Sequence, residues 1–305
     1  MSVVLIGSVS SSWHTLRAMI DSGIDVAGVC GLNRRHAETV SDYHDLEPLA
    51  GEHSIEFVAF DKVTAPAVYE LIRRHKPELL FVVGLSQLVP ADMRDLAPQG
   101  AVGFHPTMLP RMRGRAPVAW TILLNEQPAV SLFFLTDEAD AGDIIIQRPV
   151  PLLPDDYASD LIERTNQVLG HCIAELAPAI HKGALPRKPQ DHSKATWLPK
   201  RGRQDGRIDF GESADHVYRL IRAASRPYPG AFTVHGDCEM IVWRGRSAPG
   251  QEGSGQPGQI ADVQSGQGLL VQTGRGQLWL TELQYVGRPG PSDLGAFQVG
   301  QMLGP

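Results

Sequence analysis

The chain of 305 residues has only three cysteines, Cys30, Cys172 and Cys238, which lie far apart and form no CxxC spacing. Such spacing favours neither a disulfide framework nor a zinc site, so we expect reduced thiols and no bound metal. No apolar run approaches the roughly twenty residues of a membrane span, and Met1 leads into a strand-like segment instead of a basic leader. We therefore expect a cytoplasmic protein with no membrane partner.

Positive charge is also scarce. Lys and Arg number 28 against 34 Asp and Glu, a formal net charge of -6. Domains that bind nucleic acid usually carry a basic surplus, so a nucleic-acid partner is disfavoured. The 42% hydrophobic and 20% charged composition is typical of a soluble globular protein, and the length favours two domains.

The first half alternates short apolar runs with helical patterns. Strand-like runs cover residues 3–6, 26–30, 55–60 and 79–83, and Pro66 precedes an apolar pattern at helical spacing. This alternation predicts an α/β fold with a Rossmann-like, doubly wound and mostly parallel sheet. The GxGxxG motif is absent, and the single Gly7 after the first run is weak evidence for nucleotide binding.

The later sequence predicts how the chain divides into domains. Further strands are expected at 101–104, 130–135 and 144–149, and a long amphipathic helix at 158–180 closes a catalytic domain of residues 1–183. Residues 184–205 turn polar and contain prolines, which predicts a linker. One helix (214–224) and short strands separated by glycines then predict a smaller, OB-like β-barrel domain over residues 206–305.

A histidine stands at the end of one apolar run. Successive side chains of a strand alternate between faces, so Gly103 and His105 face the same way, and Pro106 keeps His105 extended. An imidazole accepts and returns protons near neutral pH, which suits catalysis of proton transfer. A purely structural histidine is the alternative.

An acidic turn follows farther along the chain. Asp137, Asp140 and Asp143 lie near Gly142 after an apolar strand, and one of them can orient the imidazole as carboxylates do in catalytic pairs. A calcium loop would need the EF-hand spacing and its terminal glutamate, which are missing. A solvated acidic turn remains the plain alternative.

These motifs carry a family resemblance. The runs at 105–117 (HPTMLPRMRGRAP) and 137–144 (DEADAGDI) resemble the core of the 10-formyltetrahydrofolate-dependent formyltransferases. The segment at 84–90 sits where that family has its folate-binding loop, and 226–232 resembles the start of its OB-like C-terminal domain. The resemblance implies an enzyme that uses 10-formyltetrahydrofolate as co-substrate.

The resemblance also implies residue roles. His105 would be the general base and acid, and Asp140 would orient it and help relay the proton from the attacking amine. We add Thr107 as a predicted catalytic residue, because its hydroxyl is a candidate donor to the reacting group. The residues expected to contact folate are Ser86, Gln87, Leu88, Val89, Thr136, Asp137 and Asp140.

Gly103 departs from the family, which has an asparagine two residues before the histidine. Loss of a side-chain amide aimed at an oxyanion costs on the order of 10²–10³ in rate. Three explanations stay open. In the first, the Thr107 hydroxyl, a backbone N–H or a bound water replaces the missing amide. In the second, protonated His105 itself binds the oxyanion. In the third, the chain binds folate without transferring a formyl group. We favour the compensated, active enzyme.

The acceptor requires a separate argument. Residues 30–52, where the tRNA enzyme of this family has a basic loop, contain Arg34 and Arg35 but also acidic residues, among them Glu38, Asp42, Asp45 and Glu47. The sequences of residues 41–46 and 82–86 are more similar to the bacterial sugar formyltransferases than to the tRNA enzyme. We therefore predict a small amine acceptor, foremost a nucleotide-linked amino sugar.

The alternatives are methionyl-tRNA and an amino-acid derivative such as hydroxyornithine. Gly103, Arg113 and Arg115 are the predicted substrate-binding residues, with surface salt bridges as the plain alternative for the two arginines. A homo-oligomer is possible.

Overall fold

The computed structural model describes residues 1–248, 250, 253–288 and 290–304. The chain folds as two compact units. The first comprises Met1–Pro117, Gln127–Leu152 and Ile162–Pro199, and the second comprises Val118–Glu126, Leu153–Leu161 and Lys200–Pro305.

A seven-stranded sheet forms the centre of the first unit, in the order β3-β2-β1-β4-β5-β7-β8. The strands are β1 Ser2–Gly7, β2 Asp25–Leu32, β3 Glu56–Phe60, β4 Leu79–Val83, β5 Ala101–Thr107, β7 Pro128–Phe134 and β8 Ile144–Pro149. The first five are parallel, whereas β7 runs antiparallel to both β5 and β8. The continuous apolar runs of β1 and β4 follow from burial on both sheet faces.

The helices are α1 Ser10–Asp21, α2 Glu47–Glu52, α3 Pro66–His75, α4 Ala91–Arg94, α5 Pro117–Leu124 and α6 Ala158–Lys182. Pro66 occupies the first turn of α3, where its missing N–H costs nothing. Val68, Leu71 and Ile72 bury one face of that helix in the core beside β1 and β4.

The second unit contains helix α7 (Ala214–Ala224) and a five-stranded antiparallel sheet in the order β10-β11-β14-β13-β12. The strands are β10 Ala231–His235, β11 Cys238–Ser247, β12 Ile260–Gln264, β13 Gly268–Gln272 and β14 Gln277–Tyr285. The chain's last residues bridge both edge regions, because Leu303 pairs with His235 and Met302 with Gln259. Val217 and Ile221 of α7 pack in the hydrophobic core of the second unit together with Val242 and Leu280.

The predicted fold class is confirmed: a mostly parallel, Rossmann-like α/β sheet and a smaller C-terminal β domain. The segment predicted to be a linker is structured in its first part. Residues up to Pro199 belong to the first unit, where β9 (Trp197–Leu198) pairs with the two-residue strand β6 (Arg113–Gly114).

The described part of the chain contains no helix with both the length and the apolar character of a membrane span.

Candidate active site

His105 lies in β5, with its side chain 6% exposed. Its Nε2 is 2.8 Å from the carbonyl oxygen of Met112. A carbonyl only accepts hydrogen bonds, so Nε2 carries the proton and donates. In the neutral imidazole, Nδ1 is then the atom with the free lone pair.

Asp140 faces that lone pair. Its Oδ2 lies 3.7 Å from His105 Nδ1, and the same oxygen accepts a hydrogen bond of 2.8 Å from the backbone N–H of Gly114. The Asp140 side chain is 18% exposed, so the interaction is only partly screened by water. A proton arriving at Nδ1 would create an imidazolium beside a carboxylate, an arrangement suited to proton transfer.

Glycines allow the two motif segments to approach the rest of the first unit. A Cβ on Gly142 would collide with the carbonyl oxygen of Phe134, and a Cβ on Gly114 would lie 2.5 Å from the carbonyl oxygen of Leu198. Real Cβ atoms do not come so close to backbone, so both positions need glycine. The glycines of the two sequence motifs thus have a packing role.

Left-handed backbone occurs at several residues of the two sequence motifs. Met112, Ala116 and Asp140 have φ of 60°, 52° and 55°, in the left-handed region that non-glycine residues rarely adopt. Such residues cost about 1–3 kcal/mol each and gather at functional sites. Two of the three, Met112 and Asp140, lie next to the imidazole nitrogens.

Gly103 is flanked by apolar side chains. A Cβ placed there would lie 2.6 Å from Leu135 Cδ2 and 3.0 Å from Phe133 Cζ. The space that the family asparagine would enter is therefore occupied, and a side-chain amide at position 103 would have to displace Leu135. This packing, which the sequence did not reveal, makes the site beside His105 apolar.

Thr107 does not offer its hydroxyl to this site. The hydroxyl donates to the carbonyl of Arg111 at 3.0 Å, and the side chain is fully buried. Its carbonyl accepts from Ser131 Oγ at 2.7 Å. Thr107 therefore supports the turn that follows β5, and its hydroxyl also lies 3.4 Å from the Met112 carbonyl oxygen that His105 contacts. Its catalytic role stays a prediction.

Arg113 is also placed differently from the prediction. Its side chain is 1% exposed, and its guanidinium bonds Gln190 Oε1 at 2.8 Å, Glu138 Oε1 at 3.2 Å and His192 Nδ1 at 3.2 Å. Both terminal nitrogens are thus bonded to protein partners, whereas the buried Nε has no hydrogen-bond partner among the described residues. Arg115 is exposed, with its backbone N–H bonded to the carbonyl of Leu198 at 3.1 Å.

Gln190 is a site residue that the sequence analysis missed. Its side-chain N–H groups donate to the carbonyls of Asp140 at 2.8 Å and Gly142 at 2.7 Å. These partners lie 50 and 48 residues away in the sequence, so no local pattern indicates the contact. Next to it, hydrogen bonds from Ser193 and Lys194 lower the pKa of Asp191.

The predicted folate loop after β4 has both exposed and buried side chains. Leu88 is 83% exposed and Ser86 is exposed, whereas Val89 is buried in the core. The Gln87 amide supports the loop, since it accepts from the Val63 N–H at 2.8 Å and donates to the Asp61 carbonyl at 3.0 Å. Ser86 and Leu88 are thus the side chains of this loop that are free to meet a ligand.

The two other residues predicted to contact folate lie on the acidic turn. The Thr136 hydroxyl donates to the carbonyl of Glu138 at 2.9 Å, and the exposed Asp137 pairs with Arg94. A cleft of about 340 Å³ is lined by Arg94, Ala101, Leu135 and Arg187, among others. Ala101 is the first residue of β5, so the cleft lies at the start of the strand, and neither His105 nor Asp140 lines it.

A second cleft of about 350 Å³, between α1 and α6, is lined by His14, Arg17 and Asn166 among others and holds no predicted site residue. Among the residues that the structure describes, no group of three or more His, Cys, Asp or Glu is arranged to hold a metal ion.

The chain is therefore a two-unit α/β protein whose central sheet carries a buried imidazole, with a carboxylate of the turn between β7 and β8 beside it. Residues 3–175 match the family model described as "Formyl transferase", and residues 201–289 match "Formyl transferase, C-terminal domain". The chain belongs to the formyl transferase family of enzymes. The resemblance inferred from the sequence motifs is confirmed at this level.

Solved structures of several proteins share the fold. HypX from Aquifex aeolicus in complex with tetrahydrofolic acid is similar at a TM-score of 0.67 and 18% identity, over 96% of this chain and 46% of that one. An N-formyltransferase from Helicobacter canadensis, in complex with folinic acid and dTDP-3-aminofucose, has a TM-score of 0.69 and 16% sequence identity. The match covers 92% of this chain and 98% of that one. A 4-N formyltransferase from Francisella tularensis has a TM-score of 0.60 and 17% sequence identity, over 76% of this chain and 91% of that one. The chain thus spans less than half of that HypX chain, and these identities show the fold alone.

Proposed function

We propose that the protein transfers a formyl group from 10-formyltetrahydrofolate to the primary amine of a small acceptor. The observation that carries the proposal is the arrangement of His105: Nε2 donates to Met112, and Nδ1 faces Asp140 Oδ2 at 3.7 Å. Family membership supplies the reaction class, and the relatives solved with folates support the choice of donor.

When bound, 10-formyltetrahydrofolate supplies the formyl group. Nδ1 of His105 accepts the proton that the acceptor amine releases as its nitrogen bonds the formyl carbon. The same atom returns a proton to N10 of the folate as the bond between N10 and the formyl carbon breaks. Asp140 stabilises the transient imidazolium and holds its charge beside the reacting atoms.

We propose that the folate contacts the loop after β4, where exposed Leu88 provides apolar area for a ring. We assign binding contacts to Ser86, Leu88 and the backbone of 136–137. Gln87 and Val89 act through the shape of the loop.

The charge that develops on the formyl oxygen needs a partner in this apolar site. The Thr107 hydroxyl is bonded to Arg111, and the Gly114 N–H is bonded to Asp140, which removes two of the nearest donors. Among the residues described above, His105 lies two positions from Gly103 on β5, and in its protonated form it is the remaining candidate to interact with this charge. We therefore favour the imidazolium as the group that stabilises this charge.

For the acceptor we propose a nucleotide-linked amino sugar. The relative from Helicobacter canadensis was solved with dTDP-3-aminofucose, and exposed Arg115 is available to bind a phosphate bidentately. Methionyl-tRNA and hydroxyornithine remain less favoured acceptors.

One observation favours a second candidate function, folate binding without transfer. Leu135 fills the space at Gly103 where the family has its amide donor.

Turnover separates the two functions. Purified protein is incubated with 10-formyltetrahydrofolate and a panel of amines (dTDP- and UDP-amino sugars, hydroxyornithine and methionyl-tRNA), and tetrahydrofolate release is followed by absorbance. Amine-dependent release that His105→Asn abolishes supports the transferase, with exposed His53→Asn as the matched control. Tight folate binding with no release for any amine supports the second function.

A further inference from the structure

We propose that Gln190, held by Arg113, is a positioning residue that fixes Asp140 against His105. This inference rests on the proposed role of Asp140 in formyl transfer. It assigns a function to a residue in the segment that the sequence predicted to be a linker, and to an arginine that the sequence predicted to bind substrate.

The Gln190 amide fixes the backbone of the acidic turn. Its two N–H groups bond the carbonyls of Asp140 at 2.8 Å and Gly142 at 2.7 Å, on either side of Ala141. Gln190 is 7% exposed, so these bonds compete little with water. One side chain thereby holds three consecutive residues of the turn in a single conformation.

Arg113 determines which way that amide points. Its guanidinium carries only donors, so its bond of 2.8 Å requires Oε1 of Gln190 on that side. The NH₂ group is then directed at the two carbonyls. Arg113 is itself held by Glu138 and His192, which completes a connection from buried cation to amide to turn.

Asp140 needs such support because of its conformation. Its φ of 55° lies in the left-handed region, from which an unsupported turn tends to relax. Its Oδ2 must also stay near both the Gly114 N–H and His105 Nδ1. Displacement of a catalytic group by about 1 Å can cost on the order of 10²-fold in rate.

The substitution Gln190→Glu removes both donated hydrogen bonds and adds one negative charge, which faces the Arg113 guanidinium. A carboxylate has nearly the same volume and still accepts from Arg113, but it has no N–H for the two carbonyls. We expect kcat to fall on the order of 10- to 100-fold, while KM for both substrates changes little. Gln298→Glu, an exposed position in the second unit with the same change of charge, is the control and keeps wild-type kcat.

A second measurement does not depend on turnover. The Gly114 N–H donates to Asp140 Oδ2, so its hydrogen exchange, followed by NMR, reports whether the carboxylate is in place. We expect exchange of this amide in Gln190→Glu to be faster by about tenfold. If Gln190→Glu fails to fold, Gln190→Asn, whose shorter amide cannot span both carbonyls and Arg113, is measured in the same way.

A double-mutant cycle completes the test. If Gln190 acts only through Asp140, then Gln190→Glu lowers kcat no further in an Asp140→Asn background. Wild-type kcat in the single variant, unchanged Gly114 exchange, or a further full loss in the double variant overturns the proposal. If the wild-type protein transfers formyl to no amine, the proposed function fails, and Gly114 exchange still decides whether Gln190 positions Asp140.

Discussion

The substitution Asp140→Asn removes one negative charge beside His105 and little else. The asparagine side-chain oxygen takes the place of Oδ2 and still accepts the 2.8 Å hydrogen bond from Gly114. The carboxylate lies 3.7 Å from Nδ1, and at an effective dielectric constant of about 20 this separation corresponds to about 4 kcal/mol of attraction to an imidazolium.

Partial exposure of Asp140 reduces that attraction. Since each 1.36 kcal/mol is about tenfold in rate, we expect kcat to fall by about 10²–10³-fold, with KM for 10-formyltetrahydrofolate nearly unchanged. Steady-state kinetics at saturating amine measure the loss, and thermal unfolding checks that the fold is kept. Asp237→Asn, at an exposed turn of the second unit, is the matched control. A kcat within threefold of the wild-type value in Asp140→Asn would refute the proposed role of the carboxylate.

Three further predictions concern packing and reactivity. Gly142→Ala places a Cβ against the Phe134 carbonyl and should lower the free energy of unfolding by about 3 kcal/mol, measured by denaturant titration; a neutral effect would contradict the close approach. Gly103→Asn should destabilise by about 1–3 kcal/mol because Leu135 occupies the space, and adding Leu135→Ala should recover stability, whereas no recovery would show that Leu135 is not the obstacle. Burial raises the pKa of Cys30 to about 12, so this thiol stays protonated at pH 8. It should react with a thiol reagent only after unfolding, whereas exposed Cys238 should react in the native protein. Rapid labelling of more than one thiol in the native protein would contradict this.

Much of the fold follows from local sequence pattern. Strands buried on both faces need continuous apolar residues, so the run Leu79–Val83 was predicted with the bounds that β4 has. Helix α7, predicted at 214–224 from its apolar spacing, also has those bounds. Strand β12 (Ile260–Gln264) has no comparable sequence signal, because it is short and only partly apolar and its conformation depends on pairing with β13.

The site was predictable only where motif residues act near one another in sequence. The motifs indicated His105 and three candidate aspartates, but backbone geometry alone places Asp140, and not exposed Asp137, beside the imidazole. The burial of Arg113 and the role of Gln190 depend on contacts between residues 77 positions apart, which periodicity and spacing do not encode. Gly103 showed the loss of a donor, whereas the apolar side chains that replace it became evident only in three dimensions.

We propose that His105 and Asp140 form a formyl-transfer site despite Gly103. Tetrahydrofolate release from 10-formyltetrahydrofolate is measured for wild-type, His105→Asn and Asp140→Asn proteins, each with and without a dTDP-linked amino sugar. We expect release that requires the amine, together with the formylated sugar by mass spectrometry, and a loss of at least about 10²-fold in both variants. Equal release by all three proteins, or none by the wild type with any amine of the panel, would contradict it.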